Sequence, residues 1–99
     1  MKLTFIGGGA MAESMINGVL SASLATPEEI SVGEPLESRC QYLTNQYQIY
    51  ATPQNLAVIN QGELVILATK PQNLPEVAAE IKSHLIPDQT VVSIIAGIQ

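Results

Sequence analysis

Leu3-Thr4-Phe5-Ile6-Gly7-Gly8-Gly9-Ala10-Met11-Ala12 opens the chain with four β-favouring residues, three glycines and the start of an apolar periodicity. The first four read as a buried strand, the glycines as a tight loop and the remainder as a helix. From Ala10 to about Leu24, Met11, Met15, Ile16, Val19 and Leu20 recur at three- and four-residue intervals, so this face is expected against a sheet, with the methionines as core filler. The glycines satisfy G-x-G-x-x-A between strand and helix, the context that separates a binding loop from a mere glycine-rich turn. Gly7 allows the turn, Gly9 lets backbone approach a pyrophosphate, and Ala12 is small enough for close helix–strand packing. The unpaired N–H groups and positive dipole end of the helix then hold an anion without a cationic side chain.

Outward from this unit the pattern repeats. Thr26-Pro27-Glu28-Glu29 reads as a turn feeding a second strand, Ile30-Ser31-Val32-Gly33. Leu36, Cys40 and Leu43 at helical spacing predict a helix from Leu36 to Gln46, followed by a short third strand, Gln48-Ile49-Tyr50. Thr52-Pro53 predicts a capped short helix running to Ile59, stopped near Asn60-Gln61-Gly62. Leu64 to Ala68 is a continuous apolar run, as expected of a central parallel strand buried on both faces. A helix from about Gln72 or Pro75 to Leu85 and a fifth strand, Thr90 to Ile95, complete the alternation. Five strands separated by helices imply right-handed crossovers and an α/β, Rossmann-type doubly wound parallel sheet in the order 3-2-1-4-5. The larger Rossmann pattern adds a sixth strand, so something is expected beyond residue 99.

Ninety-nine residues allow one core, and 46% apolar with 13% charged residues argues for a folded chain rather than a disordered one. The net charge is −5, and the cations Lys2, Arg39, Lys70 and Lys82 are scattered, which speaks against nucleic acid as a partner. No apolar run reaches the roughly 20 residues of a membrane-spanning helix. The single Cys40 and the lack of a signal-like N-terminus fit a cytoplasmic protein. Nothing has metal-ligand spacing, so no metal site is expected.

Glu34 closes the second strand where this fold places the group that reads the adenosine ribose; a carboxylate there accepts from a 2′-OH and repels a 2′-phosphate. Ser38 and Arg39 follow closely and offer a phosphate the opposite, so NAD and NADP both stay open. Lys70 ends the fourth strand on the edge where ligands bind, and reads equally well as a solvent-facing lysine. Ala96-Gly97 holds the corresponding place after the fifth strand, either as a surface for a flat ring or as a plain turn. His84 reads as a helix C-terminal cap and Cys40 as packing. No residue reads as a convincing proton donor, so the catalytic residues are unassigned.

Phe5-Ile6-Gly7-Gly8-Gly9-Ala10-Met11-Ala12, Thr52-Pro53-Gln54-Asn55, Leu67-Ala68-Thr69-Lys70-Pro71-Gln72 and Val92-Ser93-Ile94-Ile95-Ala96-Gly97-Ile98 resemble, in order and spacing, the signatures of pyrroline-5-carboxylate reductases. The resemblance implies a coenzyme-binding domain, residues 1–99, cut off before a helical domain that forms the dimer and supplies most of the substrate site. It implies NADPH or NADH as cofactor and reduction of 1-pyrroline-5-carboxylate to L-proline, the last step of proline biosynthesis. By the same resemblance Ile6, Gly7, Gly8, Gly9, Ala10 and Met11 cradle the pyrophosphate, and Asn55 contacts the adenosine portion. Ala68, Thr69, Lys70 and Pro71 with Ile95, Ala96 and Gly97 line the nicotinamide pocket. NADPH-preferring members often carry Ser or Asn where Glu34 stands. Without the helical domain, cofactor binding without efficient turnover is expected. Two other readings are the coenzyme domain of a related NADP- or F420-dependent oxidoreductase and a stand-alone dinucleotide sensor.

Overall fold

Strand β1, Leu3–Ile6, is buried at all four positions in the computed structural model, which describes residues 1–94. Strands β2 (Ile30–Gly33) and β4 (Leu64–Leu67) flank it, with β3 (Tyr50–Thr52) and β5 (Thr90–Ser93) at the edges. All pairings are parallel and the order is β3-β2-β1-β4-β5, the doubly wound topology the sequence predicts. Ile6 stands level with Gly33 and Leu67, so three strands finish together and the glycine loop emerges between two of them. The strand order reverses at β1, where this topology opens a crevice.

Side chains alternate across the strands, which divides the core in two. Leu3, Phe5, Ile30, Val32 and Ile66 face Ala12 and Ile16 of α1 (Ala10–Ser21) and Leu43 of α2 (Glu37–Tyr47). Ile6, Val65 and Leu67 face Val58, Ile59 and Ile81, the last from α3 (Leu74–Lys82). Thr4 also points to this second face, and its buried hydroxyl donates to the Val58 carbonyl at 3.0 Å. Full burial of side chains such as Phe5 and Ile16 stabilises by about 1.5–3 kcal/mol each.

Several local expectations shift, each for an identifiable reason. Helix α1 stops at Ser21 rather than Leu24 because Ser23 turns left-handed (φ 57°) and Leu24 N–H donates back to the Val19 carbonyl. Met11 is 45% exposed rather than core filler, because Ala12 and Ile16 set the buried phase of the helix. Leu36 precedes α2 and is exposed, leaving Cys40 and Leu43 as the buried residues of that helix. Gln48 ends α2 in a left-handed conformation (φ 62°), which moves β3 two residues on, to Tyr50–Thr52. Thr52 is therefore the end of a strand, and the short helix expected after Pro53 shrinks to a 3-10 turn at Asn55–Ala57. Helix α3 ends at Lys82, so His84 lies beyond it, exposed, with its ring beside the Ser83 hydroxyl.

Candidate functional site

Each glycine of the loop after β1 meets a different constraint. Gly7 adopts φ 104° and donates its N–H to the Gly33 carbonyl at 2.7 Å. A Cβ there would lie 2.6 Å from the Ala68 carbonyl oxygen, so glycine is required both by conformation and by the approach of β4. Gly8 is buried, its N–H donates to Glu34 Oε1 at 2.9 Å, and a Cβ would come within 2.8 Å of the Leu43 side chain. A Cβ at Gly9 would meet nothing within 4 Å. As the residue before α1 it brings no side chain to cap the helix, so the N–H groups of the first turn face open space.

That space is a cleft of about 300 Å³ bounded by the three glycines, Glu34 with Pro35 and Leu36, Ala68 to Lys70, and Asn73. The hydroxyl of Thr69 is buried and has no hydrogen-bond partner among the described residues. Hollows of about 580 and 600 Å³ lie, respectively, beside Met1 and Glu29, and between α2 and β3. They are larger, but neither is lined by the glycines after β1. A glycine cradle with room over Gly9, uncapped first-turn donors and an unpartnered hydroxyl fits a phosphate-bearing dinucleotide.

One wall is fixed by charged side chains. Glu34 is 8% exposed; its Oε2 accepts from the Leu36 N–H at 2.9 Å, while Oε1 takes the Gly8 N–H. Arg39 Nε donates to the Gly8 carbonyl at 2.6 Å and Nη2 to Glu13 Oε1 at 2.7 Å. The peptide groups on both sides of Gly8 are thus gripped, one by Glu34 from the end of β2 and the other by Arg39 from α2. Glu13 Oε2 also accepts from the hydroxyls of Tyr42 (2.5 Å) and Tyr47 (2.6 Å). These phenols and Arg39 hold the Glu13 carboxyl down at about 2, and the same carboxylate pushes Tyr47 up to about 12. Cys40 is buried, its thiol donates to the Glu34 carbonyl at 3.1 Å, and burial beside Glu34 and Glu37 raises its pKa, as suits packing rather than a nucleophile.

Of the residues singled out from the sequence, Gly7, Gly8, Gly9, Glu34, Ala68, Thr69 and Lys70 come together in this cleft. Ile6 is fully buried in the second-face core and reaches the loop only through its carbonyl, which accepts from Ala68 N–H. Ala10 and Met11 lie in the exposed first turn of α1, and Pro71 opens a 3-10 turn beyond the cleft wall. Asn55 stands apart from the cleft: it packs against Gly33 on the second face and donates to Glu80 at 3.0 Å. Ile95, Ala96 and Gly97 lie outside the described residues. Pro35, Leu36 and Asn73 were not foreseen as cleft residues, and only their adjacency to Glu34 and Lys70 hinted at them. Among the described residues, no three His, Cys, Asp or Glu side chains are grouped to hold a metal, and no helix is long and apolar enough to cross a membrane.

Residues 2–97 match the model of a family described as NADP oxidoreductase, coenzyme F420-dependent. The chain is 39% identical over 98 residues to a pyrroline-5-carboxylate reductase of Synechocystis, covering 99% of this chain and 36% of that one. With the pyrroline-5-carboxylate reductase of Methanosarcina acetivorans it shares 31% identity over 97 residues, 98% of this chain and 36% of the relative. A solved pyrroline-5-carboxylate reductase from Coxiella burnetii superposes with a TM-score of 0.87 at 28% identity, covering 97% of this chain and 36% of that one. The chain thus spans little more than a third of the relatives it matches.

Proposed function

Since the chain belongs to the family of coenzyme F420-dependent NADP oxidoreductases, we propose that residues 1–99 are the coenzyme-binding domain of a pyrroline-5-carboxylate reductase. The observation that carries this reading is the loop Gly7 to Gly9, with open space over Gly9 at the uncapped start of α1. Gly9 and the first turn of α1, through Ala10 and Met11, take the pyrophosphate by backbone donors, which an acidic chain needs because its own field opposes an anion. Glu34 meets the adenosine ribose, while Ala68, Thr69 and Lys70 face the nicotinamide end, with Pro71, Ile95, Ala96 and Gly97 proposed for the same end and Asn55 for the adenosine side. Bound NADH or NADPH supplies a hydride, and the protein of which this chain is part reduces the C=N bond of 1-pyrroline-5-carboxylate to give L-proline.

The buried free thiol of Cys40 supports a cytoplasmic setting. A homo-oligomer is proposed on the apolar edge left by β5, where Val91 and Val92 are about 40% exposed. The family description favours a second reading, in which the same coenzyme domain serves transfer between NADP and F420.

Titration of residues 1–99 with reduced dinucleotide, followed by nicotinamide fluorescence, tests the site. Saturable binding without efficient proline formation, restored when the chain is extended by the remainder of its reading frame, is the expected result. A folded chain that binds neither cofactor overturns it. An extended protein that reduces F420 but not 1-pyrroline-5-carboxylate selects the second reading.

A further inference from the structure

The family description names NADP, yet the wall of this cleft at the end of β2 carries the Glu34 carboxylate. Building on the dinucleotide reading above, we propose that this chain binds NADH in preference to NADPH, with Glu34 as the residue that discriminates between them.

Glu34 is already engaged at both carboxylate oxygens. Its two oxygens accept from the Gly8 and Leu36 N–H groups, each at 2.9 Å, so the carboxylate is fixed in place before any ligand arrives. Those two backbone donors are the ones a 2′-phosphate at the end of β2 would call upon, and an internal anion holds both. A carboxylate offers about four lone-pair sites, which leaves two for ribose hydroxyls that donate. A 2′-phosphate donates nothing to these sites and brings about two negative charges against a fixed, 8% exposed one. Glu37, in the first turn of α2, adds a further negative charge where a helix start would otherwise welcome phosphate.

Among the described residues no free cation compensates. Arg39, the residue best placed in sequence to reach a 2′-phosphate, is held by three contacts: the Gly8 carbonyl, Glu13, and the Tyr42 ring 4.9 Å beneath its guanidinium. Swinging it toward a phosphate would release the Gly8 carbonyl and leave Glu13 with the phenols alone. Lys2 precedes β1 at the opposite edge of the sheet, and Lys82 ends α3. Lys70 follows β4, two strand spacings or roughly 10 Å across from β2. Among the described residues, then, the ribose end has one anion, Glu34, fixed in place and its nearest cation already spent.

Fluorescence titrations with NADH and NADPH, at low and high salt and with the fold checked by circular dichroism, test the proposal. NADH is expected to bind about tenfold or more tightly at low salt, with the gap narrowing as salt screens the charges. Glu34→Gln keeps the shape and removes the charge; it is expected to bring the two affinities within about threefold, chiefly by tightening NADPH. Glu37→Gln lies on the exposed start of α2 and carries the test should the first variant fail to fold, moving NADPH the same way by a smaller factor. NADPH binding as tightly as NADH to the unaltered protein overturns the proposal. So does an affinity ratio that a folded Glu34→Gln, or in its place Glu37→Gln, leaves unchanged. Failure of both cofactors to bind a folded protein overturns the dinucleotide reading beneath it instead.

Discussion

The two faces of the sheet are built to different standards. The first has two full helices, a continuous apolar cluster from Leu3 to Ile66, and the Glu13–Arg39–Tyr42–Tyr47 group tying α1 to α2. The second has one nine-residue helix and a 3-10 turn over a cluster of six buried residues. The candidate site sits at the seam, since the glycine loop is gripped by Glu34 and Arg39 from one side and by the end of β4 from the other. The Glu34 wall of the cleft is thus backed by the more heavily bonded face, whereas the Ala68 to Lys70 wall rests on the thinner side.

The comparison breaks first at the seam. Gly7→Ala sets a Cβ against the Ala68 carbonyl in a left-handed backbone, and a loss of about 3 kcal/mol or more in urea unfolding is expected. A loss under about 1 kcal/mol would show that the loop relaxes freely and that the seam is soft.

Two isoleucines then weigh the faces against each other. Ile16 and Ile81 are both essentially buried, at 0% and 2% exposed. Ile16→Ala is expected to cost about 4 kcal/mol and Ile81→Ala about 2, because a thinly covered site collapses more readily onto its cavity. Equal losses would erase the distinction.

Acid separates the faces by charge. Glu13 titrates at about 2 in the folded protein against 4.5 ordinarily, so its contribution is fully present above pH 4.5 and drains away as the pH falls toward 2. Tyr47 is raised from 10 to about 12, so its share is present below pH 10 and lost as the pH climbs through 12. Thermal melts of Glu13→Gln should lose both slopes, leaving a flatter profile than the parent. The smallest effect belongs to the β5 edge: Val92→Thr, at a 40% exposed position, should shift stability by no more than about 0.5 kcal/mol.

Much of this architecture was legible in the sequence because its signals are local. An apolar tetrad running into Gly7 fixes strand, loop and helix within ten residues, and four such repeats leave few topologies to choose among. What escaped depended on neighbours distant in the chain. Thr52-Pro53 has the letters of a helix cap, but pairing with β2 claims Thr52 as the end of a strand. Met11 and Met15 look alike in a periodicity plot, and only contact with Phe5 and its neighbours decides which side of α1 is inside. Asn55 matched a family signature, and its packing against Gly33, which lacks a side chain, could not be read from that signature. Arg39 left a phosphate contact open in the sequence; its hydrogen bond to Glu13, 26 residues earlier, was not legible there.

The grip on Gly8 has a kinetic side. With the Gly8 N–H bound to Glu34 and the Gly8 carbonyl bound to Arg39, the loop holds its shape with no ligand present. On the dinucleotide reading proposed above, a cofactor would meet a surface that needs little ordering, so association is expected to approach an encounter-limited process and differences in affinity to express themselves in how long the complex lasts. The Gly8 amide, buried and donating to Glu34, should surrender its proton to solvent only when the segment joining β2 to α2 lifts away from the loop.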